Sequence, residues 1–379
     1  MDDPVAGPRN VLYYYSYLQT DTGSPRALMS LVEVLDRTRF RPLLLAHGQG
    51  PLVDEMARRG VAIVDAPADQ ISLRHPARAW ASIRRQMRLL RRERIHLVHL
   101  NEFGWNVDLV AAAGLLRIPV VLHVHNPLDV EQRNFHRWVA GRVLFVSEAH
   151  RAEARHLDRL RGTTSVLYNA VDLERVQSGR SLRGELRIPE GHLVVGTVAQ
   201  ICHRKGMDVF VETARRVAAV RDDVHFVVVG RAGIGEDAYA AGVHAAAADL
   251  ERQGRISFLG SRTDVPDLLA SMDLFFLPTR AETFGIVIIE AMAAGVPVVA
   301  TRVGGIPEIV TGSGLGSLVP PDDAEASAGA LLELLADGPR RAAVGAAGRA
   351  SLPGRFDNAA FASALHSLYD EVLATGAPR

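Results

Sequence analysis

The chain contains short, almost wholly apolar runs rich in β-branched residues, and segments with helical periodicity separate them. Apolar runs of this length that alternate with helices are typical of strands in a parallel sheet covered by helices on both faces. The runs lie at 11–15, 41–46, 95–100, 119–125, 142–147 and 165–168 in the first half, and at 193–199, 224–230, 255–260, 273–278, 297–301 and 315–320 in the second. The two sets predict an α/β protein with two doubly wound, Rossmann-like domains.

The join between the two sets falls in a polar stretch, residues 168–189, that lacks apolar periodicity. We therefore predict a first domain over 1–172 and a second over 173–359. No strand follows the last helical segment, which predicts a terminal helix within 360–379 that crosses back onto the first domain. The two domains are expected to present the carboxyl ends of their strands to a shared cleft, because ligands of doubly wound sheets bind at those ends.

Composition narrows the class of protein. The charges balance, with 43 Lys plus Arg and 43 Asp plus Glu, which argues against a general affinity for nucleic acid. The single cysteine, Cys202, allows no intramolecular disulfide and fits a reducing compartment. No secretory signal and no apolar run of about 18 residues is visible. We expect a cytoplasmic protein.

Lys205 is the only lysine of the chain, and it stands in the segment HRKG directly after the apolar run at 193–199. A cation at a turn between a strand and a helix is well placed to bind phosphate. An ammonium is a compact point charge, unlike the planar guanidinium of arginine, which suits a phosphate whose geometry changes. The alternative is a solvated surface lysine.

Two glutamates, Glu282 and Glu290, follow the run at 273–278 in the segment AETFGIVIIEAMAAG. If the segment is helical, the eight-residue spacing separates them by about 12 Å along the axis. That is wider than the roughly 5 to 9.5 Å of a carboxylate pair flanking one bond, but it suits the two ends of an elongated ligand. The free amides around Phe284 and Gly285 are expected to face the ligand. The alternative is one glutamate favoured by the helix dipole and one exposed glutamate.

A basic segment, residues 74–94, carries eight arginines and one acidic residue. Trp80, Ile83, Met87 and Leu90 recur in it at helical spacing. This pattern predicts a helix that packs the apolar stripe on the first sheet and leaves its basic face in solvent. The alternative is a helix that contacts an anionic membrane surface on the cytoplasmic side.

Histidines supply the weaker signals. His125 is preferred over His123 as a functional residue because it lies nearer the carboxyl end of its strand, and we expect the two to point to opposite faces of the sheet. His96 and His99 are interpreted as structural, and the alternative is that His99 and Asn101, which end another strand, line the acceptor side. No cluster of histidine, cysteine and aspartate has the spacing of a zinc site, so we expect no metal requirement.

The segment AETFGIVIIEAMAAGVPVVATRVGGIPEIV, residues 281–310, resembles the signature of family-four retaining glycosyltransferases, which have the two-domain GT-B fold. The segments VVGTVAQICHRKG, FLGSRTDVPDLLASMDLFFLPT, VLYNAVD and FVSEAH are similar to the same family, and the resemblance covers nearly the whole chain.

The resemblance implies a role for each matching position. Lys205 binds the donor diphosphate, Glu282 holds the transferred sugar, Glu290 holds the ribose and Arg262 contacts the base. The loop of Thr283, Phe284, Gly285 and Ile286 contacts the donor through backbone amides, His125 touches the sugar from the first domain, and Gly23 belongs to a loop that borders the donor.

There are departures from the family pattern. Gln200 stands where the family often has arginine, which makes Arg204 the candidate replacement. The first loop reads Gly23-Ser24-Pro25 where Gly-Gly is usual, and proline removes a backbone donor.

The sequence thus predicts a retaining, metal-independent glycosyltransferase. It would move a sugar from a UDP- or GDP-linked donor to a lipid-linked sugar, a glycan or a small metabolite, without a cofactor. Two alternatives remain open. One is a phosphorylase or epimerase with the same fold, and the other is a silent subunit that binds the donor without turnover.

Overall fold

The computed structural model describes residues 7–20, 23–67, 74–101, 106–127, 141–153 and 163–375. The chain divides into two compact units. Unit 1 comprises Met1–Ala170 with Asn358–Arg379, and unit 2 comprises Val171–Asp357. The predicted domain limits lie two residues from these boundaries.

Unit 1 is a parallel α/β sheet. Its strands, as far as the structure describes the chain, are β1 (Arg9–Tyr14), β2 (Phe40–Ala46), β3 (Ala62–Asp65), β4 (Ile95–Leu100), β5 (Val120–Val124), β6 (Arg142–Phe145) and β7 (Thr163–Val166). They pair in the order β3-β2-β1-β4-β5-β6-β7, and every pairing is parallel. The helices of this unit are α1 (Gly23–Glu33), α2 (Pro51–Arg58), α3 (Pro76–Arg92), α4 (Val107–Leu115), α5 (Glu148–Glu153) and α14 (Asn358–Thr375).

Unit 2 repeats the architecture. Its strands are β8 (Leu193–Val198), β9 (Val224–Val229), β10 (Ile256–Phe258), β11 (Leu274–Leu277), β12 (Val298–Thr301) and β13 (Ser317–Val319), in the order β10-β9-β8-β11-β12-β13 and all parallel. Its helices are α6 (Leu173–Gln177), α7 (Met207–Ala218), α8 (Asp237–Arg252), α9 (Val265–Ala270), α10 (Ile286–Ala293), α11 (Ile306–Ile309), α12 (Ala324–Ala336) and α13 (Gly338–Ala350).

The predicted fold class is confirmed, and each predicted apolar run contains or overlaps a strand. One strand was missed. β3 has four residues, pairs only with β2 at the edge of the sheet and buries one side chain well, Val64. A short, half-exposed edge strand lacks the apolar run by which the interior strands were recognised.

The terminal helix α14 packs on unit 1, as the sequence predicted. Phe361, Leu365 and Tyr369 of α14 lie in the same buried cluster as Tyr13 of β1 and Leu28 of α1. Because this helix follows unit 2 in the chain but fills the core of unit 1, it is part of the fold of unit 1.

The basic helix α3 differs from its prediction. Leu90 is buried, and Ile83 and Met87 pack against the core, but Trp80 is 45% exposed. The buried face is partly polar instead. Asp108 of α4 is fully buried and accepts hydrogen bonds from Ser82 Oγ at 2.6 Å and Gln86 Nε2 at 3.0 Å.

The strand orders predict where each of the two sheets would bind a ligand. In each sheet the strand order reverses direction once, between β1 and β4 in unit 1 and between β8 and β11 in unit 2. Ligands of doubly wound sheets bind outside the carboxyl ends of the strands at this reversal. The residues that follow these four strands are therefore the first candidates for function.

Candidate active site

Lys205 lies in the turn after β8. Residues His203–Lys205 form one turn of 3-10 helix, and Gly206 follows in the left-handed region with φ 66° before α7 begins. A Cβ atom on Gly206 would lie 2.0 Å from the carbonyl oxygen of Pro278, which follows β11. Glycine is required here because the turn after β8 packs directly on the chain after β11.

The Lys205 ammonium donates a hydrogen bond to Glu282 Oε2, and the two side chains are only 13% and 10% exposed. Burial alone would raise the pKa of Glu282, but the Lys205 ammonium, with help from Arg204 and the Phe284 amide, holds it below its ordinary value. Glu282 is therefore ionised at neutral pH. The structure thus brings together two predicted site residues that are 77 positions apart in the chain.

The backbone around Glu282 is held by the segment VGGIPE. The Gly305 amide donates to the Glu282 carbonyl at 3.2 Å. Gly304 has φ 49°, and a Cβ atom there would lie 1.7 Å from the same carbonyl oxygen. Gly304 lets one loop approach the other closely, and the bond from the Gly305 amide then fixes the backbone of the glutamate.

The helix α10 begins one turn after Glu282. Gly285 precedes it in the left-handed region, and no side chain among the described residues caps it. Uncapped amides at a helix N-terminus favour an anionic ligand. Phe284 is buried against Phe356, with ring centroids 5.7 Å apart. Glu290 lies in the middle of α10 and is partly exposed.

The remaining predicted residues of unit 2 lie on neighbouring loops. Arg204 is exposed, and its Nη1 donates to the Ala281 carbonyl at 3.3 Å. Gln200 follows β8 and is partly buried. Arg262 follows β10, where its guanidinium binds Asp264, with Nε 2.8 Å from Oδ1. Among the described residues, neither Gln200 nor Arg262 forms a hydrogen bond or ion pair with Lys205 or Glu282.

A second polar cluster lies after β1, β4 and β5 in unit 1. Asn101, fully buried, donates from Nδ2 to the Ser24 carbonyl at 3.1 Å, so its Oδ1 faces His125 Nε2 at 3.0 Å. Because an amide oxygen only accepts, His125 carries its proton on Nε2. Asn101 therefore links His125 to the N-terminus of α1, which begins at Gly23.

The cluster extends through further buried groups. His99 Nδ1 lies 2.8 Å from the Tyr369 hydroxyl, which is 3.0 Å from the Tyr13 hydroxyl. Burial, aided by His125, lowers the pKa of His99 to about 3. Burial also lowers the pKa of His125 well below its usual range, with His123 and His150 contributing. These imidazoles are neutral at physiological pH.

The expectation that His123 and His125 point to opposite faces is wrong. Their ring centroids are 4.1 Å apart. Residues two positions apart on a strand share a face, because successive side chains alternate. His123 is 1% exposed, and both of its ring nitrogens lack a hydrogen-bond partner among the described residues.

Several residues of these two clusters were missed or given no role from the sequence. Arg280, Asp208 and Tyr239 surround the Lys205 turn, and Tyr13 and Tyr369 extend the histidine cluster. Arg280 follows the apolar run at 273–278, but only the sheet topology brings it against the turn after β8. Among the residues that the structure describes, no group of three or more His, Cys, Asp and Glu side chains is arranged to hold a metal ion.

The comparisons with known proteins agree with this architecture. The crystal structure of Anabaena HepE in complex with UDP and glucose has a TM-score of 0.81 to this chain at 23% identity, and the match covers 95% of this chain and 99% of that one. Sucrose-phosphate synthase from Thermosynechococcus elongatus has a TM-score of 0.77 at 19% identity, with 97% of this chain covered and 100% of that one. Two parallel, Rossmann-like sheets with these likenesses define a protein of the GT-B fold.

Two family models match successive parts of the chain. The model described as Glycosyltransferase Family 4 matches residues 22–175, and the model described as Glycosyl transferases group 1 matches residues 192–337. The chain belongs to the family-four, group 1 glycosyltransferases.

Named relatives share part of the chain. Lipopolysaccharide core biosynthesis mannosyltransferase LpsB of Rhizobium meliloti (strain 1021) is 33% identical over 214 residues, which are 55% of this chain and 61% of that protein. Phosphatidyl-myo-inositol mannosyltransferase of Mycobacterium leprae (strain TN) is 32% identical over 248 residues, 64% of this chain and 62% of that protein. The matches thus span less than two thirds of the length of these relatives.

Proposed function

We propose that the protein is a retaining glycosyltransferase that moves a sugar from a nucleoside diphosphate sugar to an acceptor hydroxyl without a metal ion. The observation that carries the proposal is the buried ion pair of Lys205 and Glu282 at the β8/β11 reversal. A diphosphate needs a cation and sugar hydroxyls need an acceptor, and this pair supplies both groups side by side. Membership of the glycosyltransferase family supports the same chemistry.

The ion pair suggests how the donor is recognised. Without donor, Lys205 and Glu282 neutralise each other. On binding, the ammonium turns toward the diphosphate and the carboxylate accepts hydrogen bonds from sugar hydroxyls. As the bond between the anomeric carbon and the phosphate oxygen breaks, the diphosphate gains negative charge and the nearby cation stabilises it. The oxygen of the acceptor hydroxyl bonds to the anomeric carbon on the same face of the sugar, and the proton of that hydroxyl passes to the departing diphosphate.

Arg204 supplies a second cation on this proposal. It is exposed, adjacent to Lys205, and close enough to Glu282 to lower the pKa of that carboxyl. Its contact with the Ala281 carbonyl holds it over the segment that leads to Glu282. On this proposal, Arg204 therefore supplies the positive charge that neutral Gln200 cannot supply.

The first experiment identifies the donor. Thermal unfolding is followed with UDP- and GDP-linked sugars, and each donor that raises Tm is then incubated with candidate acceptors. Release of UDP or GDP together with a glycosylated product of retained anomeric configuration supports the proposal. Release of a sugar phosphate in the presence of inorganic phosphate would indicate a phosphorylase. Donor binding without turnover on any acceptor would indicate a silent binding subunit.

We also propose that the acceptor is lipid-linked and that α3 docks on an anionic membrane. The two named relatives act in lipopolysaccharide core synthesis and on phosphatidyl-inositol, as their names state. On α3, Trp80 is exposed beside Arg84, whose guanidinium carbon lies 5.4 Å from the indole centroid, and Arg88 and Arg91 extend the same face. Exposed tryptophan and arginine on one helix face suit the boundary of a bilayer. None of the described helices is long and apolar enough to cross a membrane.

Vesicle binding tests this docking. Co-sedimentation with anionic vesicles is measured for the protein and for the triple variant Arg84→Gln, Arg88→Gln, Arg91→Gln. Each arginine near the surface contributes about 1 kcal/mol, so the variant should lose about 3 kcal/mol of vesicle affinity. The matched control replaces the exposed Arg216, Arg252 and Arg340 of unit 2 and should bind as the parent protein does. Equal losses of vesicle affinity in both variants would show that the net charge of the protein attracts it to the vesicles, and not this face of α3.

Arg85 does not belong to that set, although it lies in the same helix. Its Nη2 donates to Ser82 Oγ at 2.9 Å and lies 3.7 Å from the buried Asp108 carboxylate. Replacing it would disturb the packing of α3 on α4, and the vesicle variant therefore leaves it in place.

A further inference from the structure

Arg280 stands two residues before Glu282, on the segment that follows β11. Its side chain is 18% exposed, and all three guanidinium nitrogens donate to protein acceptors. Nε donates to Asp322 Oδ1 at 2.7 Å, Nη2 to Asp208 Oδ2 at 2.7 Å, and Nη1 to Asp208 Oδ1 at 2.8 Å. A planar guanidinium held by two carboxylates in this way has a fixed position.

The fourth acceptor of Arg280 belongs to the turn that carries Lys205. Nη1 also donates to the His203 carbonyl at 2.7 Å. The Arg280 backbone amide donates to the Arg204 carbonyl at 2.8 Å, and Thr279 Oγ1 donates to the same carbonyl at 3.0 Å. The two carbonyls immediately before Lys205 are thus both held by residues 279 and 280.

The same short segment therefore holds both ends of Lys205. Residues 279 and 280 fix its backbone, and Glu282 binds its ammonium. The carboxylate that orients Arg280 is itself held in place. Burial alone would raise the pKa of Asp208, but Arg280 and the Tyr239 hydroxyl lower it to about 2. Asp208 consequently stays ionised at any pH at which the protein would be assayed.

We propose that Arg280 is a positioning residue, which fixes the Lys205 turn relative to Glu282 and thereby sets the affinity for the donor diphosphate. Its nitrogens are committed to Asp208, Asp322 and His203, so it acts through Lys205 and not by touching the phosphate. The inference rests on the proposed function, in which Lys205 binds the diphosphate.

A double-mutant cycle tests the proposal. UDP and GDP are titrated calorimetrically into the protein and into the variants Arg280→Gln, Lys205→Ala and the double variant. Arg280→Gln should weaken the better-bound nucleotide roughly five- to tenfold, because a displaced ammonium loses much of a charge-assisted contact. In the Lys205→Ala background the same substitution should change affinity less than about twofold.

Arg183 offers a matched control. It is a partly buried arginine of unit 2 whose guanidinium binds the Ser271 carbonyl and the Asp273 carboxylate, before β11 instead of after it. Arg183→Gln should lower Tm as Arg280→Gln does, but leave nucleotide affinity unchanged. If Arg280→Gln also lowers only Tm, Arg280 is a structural residue and the proposal is wrong.

Two other outcomes are decisive. Losses that multiply in the double variant would show that Arg280 acts independently of Lys205, which overturns the positioning role. Unchanged affinity in Lys205→Ala alone would instead overturn the proposed function of Lys205. If Arg280→Gln does not fold, Arg280→Lys enters the same cycle, because it keeps the charge and loses the fork. It should then show an intermediate loss that again disappears without Lys205.

Discussion

The two units place different chemistry at the same point of the same architecture. At the reversal of strand order, unit 2 carries a buried ion pair between Lys205 and Glu282, with Arg280 and Asp208 around it. At its own reversal, unit 1 carries neutral imidazoles and an amide, with His125 bonded to Asn101 and His99 bonded to Tyr369. The topology thus determines where each site lies, whereas the side chains after the strands determine what each site can bind.

The difference matches the two ends of the proposed reaction. Charged groups that neutralise one another at rest suit a ligand with a diphosphate, because the ligand can replace one partner of the pair. Neutral, buried hydrogen-bonding groups suit hydroxyls, which need fixed acceptors and donors but no counter-charge. We therefore expect perturbations of charge to act mainly in unit 2, and changes of pH to act most strongly in unit 1.

The largest effect should come from Glu282→Gln. If the carboxylate stabilises the reacting sugar, kcat should fall by about 10² to 10³, as for other groups that act in the transition state. Nucleotide affinity should not fall, because the substitution frees Lys205 from its partner. Glu290→Gln should do the opposite and weaken the nucleotide with a small effect on kcat. Steady-state kinetics with calorimetry separates the two, and equal losses in both variants would contradict this division.

Lys205→Ala should have the next largest effect. A charge-assisted hydrogen bond contributes about 1.5 to 3 kcal/mol, so UDP or GDP should bind roughly ten- to a hundredfold more weakly. Lys205→Arg should restore only part of this affinity, because a planar fork cannot follow the departing phosphate as an ammonium does. Arg340→Ala, a change of an exposed cation on α13, serves as the control in the same calorimetric titration.

Lys205→Ala should also show how much the Glu282 carboxylate destabilises the protein when it is buried without its partner. Without Lys205, burial should raise the pKa of Glu282, and the protein should unfold at lower temperature. Adding Glu282→Gln to Lys205→Ala should recover stability, since no buried charge is then left without a partner. A double variant less stable than Lys205→Ala alone would contradict this account of the pair.

The next effect concerns acidification of unit 1. Burial lowers the pKa of His99 to about 3 and of His150 to about 4, from 6.5 in the unfolded chain. At pH values between 6.5 and the lowered pKa, the unfolded chain binds more protons than the folded protein does. Each neutral histidine's contribution to the free energy of unfolding is therefore complete above pH 6.5 and is lost as the pH falls below 6.5. The loss is about 1.4 kcal/mol per pH unit for each histidine. Glu282, whose pKa is lowered from 4.5, loses its contribution only at still lower pH.

Tryptophan fluorescence measures this difference directly. All three tryptophans, at positions 80, 105 and 138, lie in the sequence of unit 1. The stability that fluorescence reports should therefore fall between pH 6.5 and pH 5. The fall should exceed that of unit 2, where burial lowers the pKa of one histidine, His225, among the described residues. His99→Asn should reduce the slope, whereas replacement of the exposed His47 should not. A pH-independent fluorescence transition over this range would show that the buried histidines do not control the stability of unit 1.

The sequence predicted the fold well because apolar strands and helical segments alternate throughout both units. The interior strands are buried on both faces, so their side chains carry the signal themselves. β3 was not predicted because it is short and lies at the edge of the sheet. Trp80 was wrongly assigned to the core because helical spacing alone does not show which apolar residues face inward. Only packing on α4 decides that Ser82 and Gln86 are buried instead.

The sequence indicated those residues of the candidate site that follow strands. Lys205 and Glu282 were both found from their positions after strands, but their mutual ion pair depends on the pairing of β8 with β11. Arg280 and Asn101 donate to the carbonyls of His203 and Ser24, which lie far away in the chain, and no local pattern records such contacts. Residues that position others are in general less visible in sequence than residues that meet the ligand.

The last prediction is the smallest effect: we expect that metal ions do not change the activity. If cations of unit 2 support the diphosphate, activity should persist in excess EDTA, and adding Mg²⁺ or Mn²⁺ after dialysis should not increase kcat. The buried imidazoles of His99 and His123 have nitrogens without hydrogen-bond partners among the described residues, but no group of three or more His, Cys, Asp and Glu side chains there is arranged to hold a metal ion. Zn²⁺ should therefore not raise Tm, and a zinc-dependent rise in Tm that His123→Asn removes would show that unit 1 holds a metal. Chelator-sensitive activity restored by Mg²⁺ would instead place a metal beside the diphosphate, in addition to the cations Lys205 and Arg204. Unchanged activity and Tm in both experiments would support the comparison of the two units: charged side chains without a metal in unit 2, and neutral hydrogen-bonding side chains in unit 1.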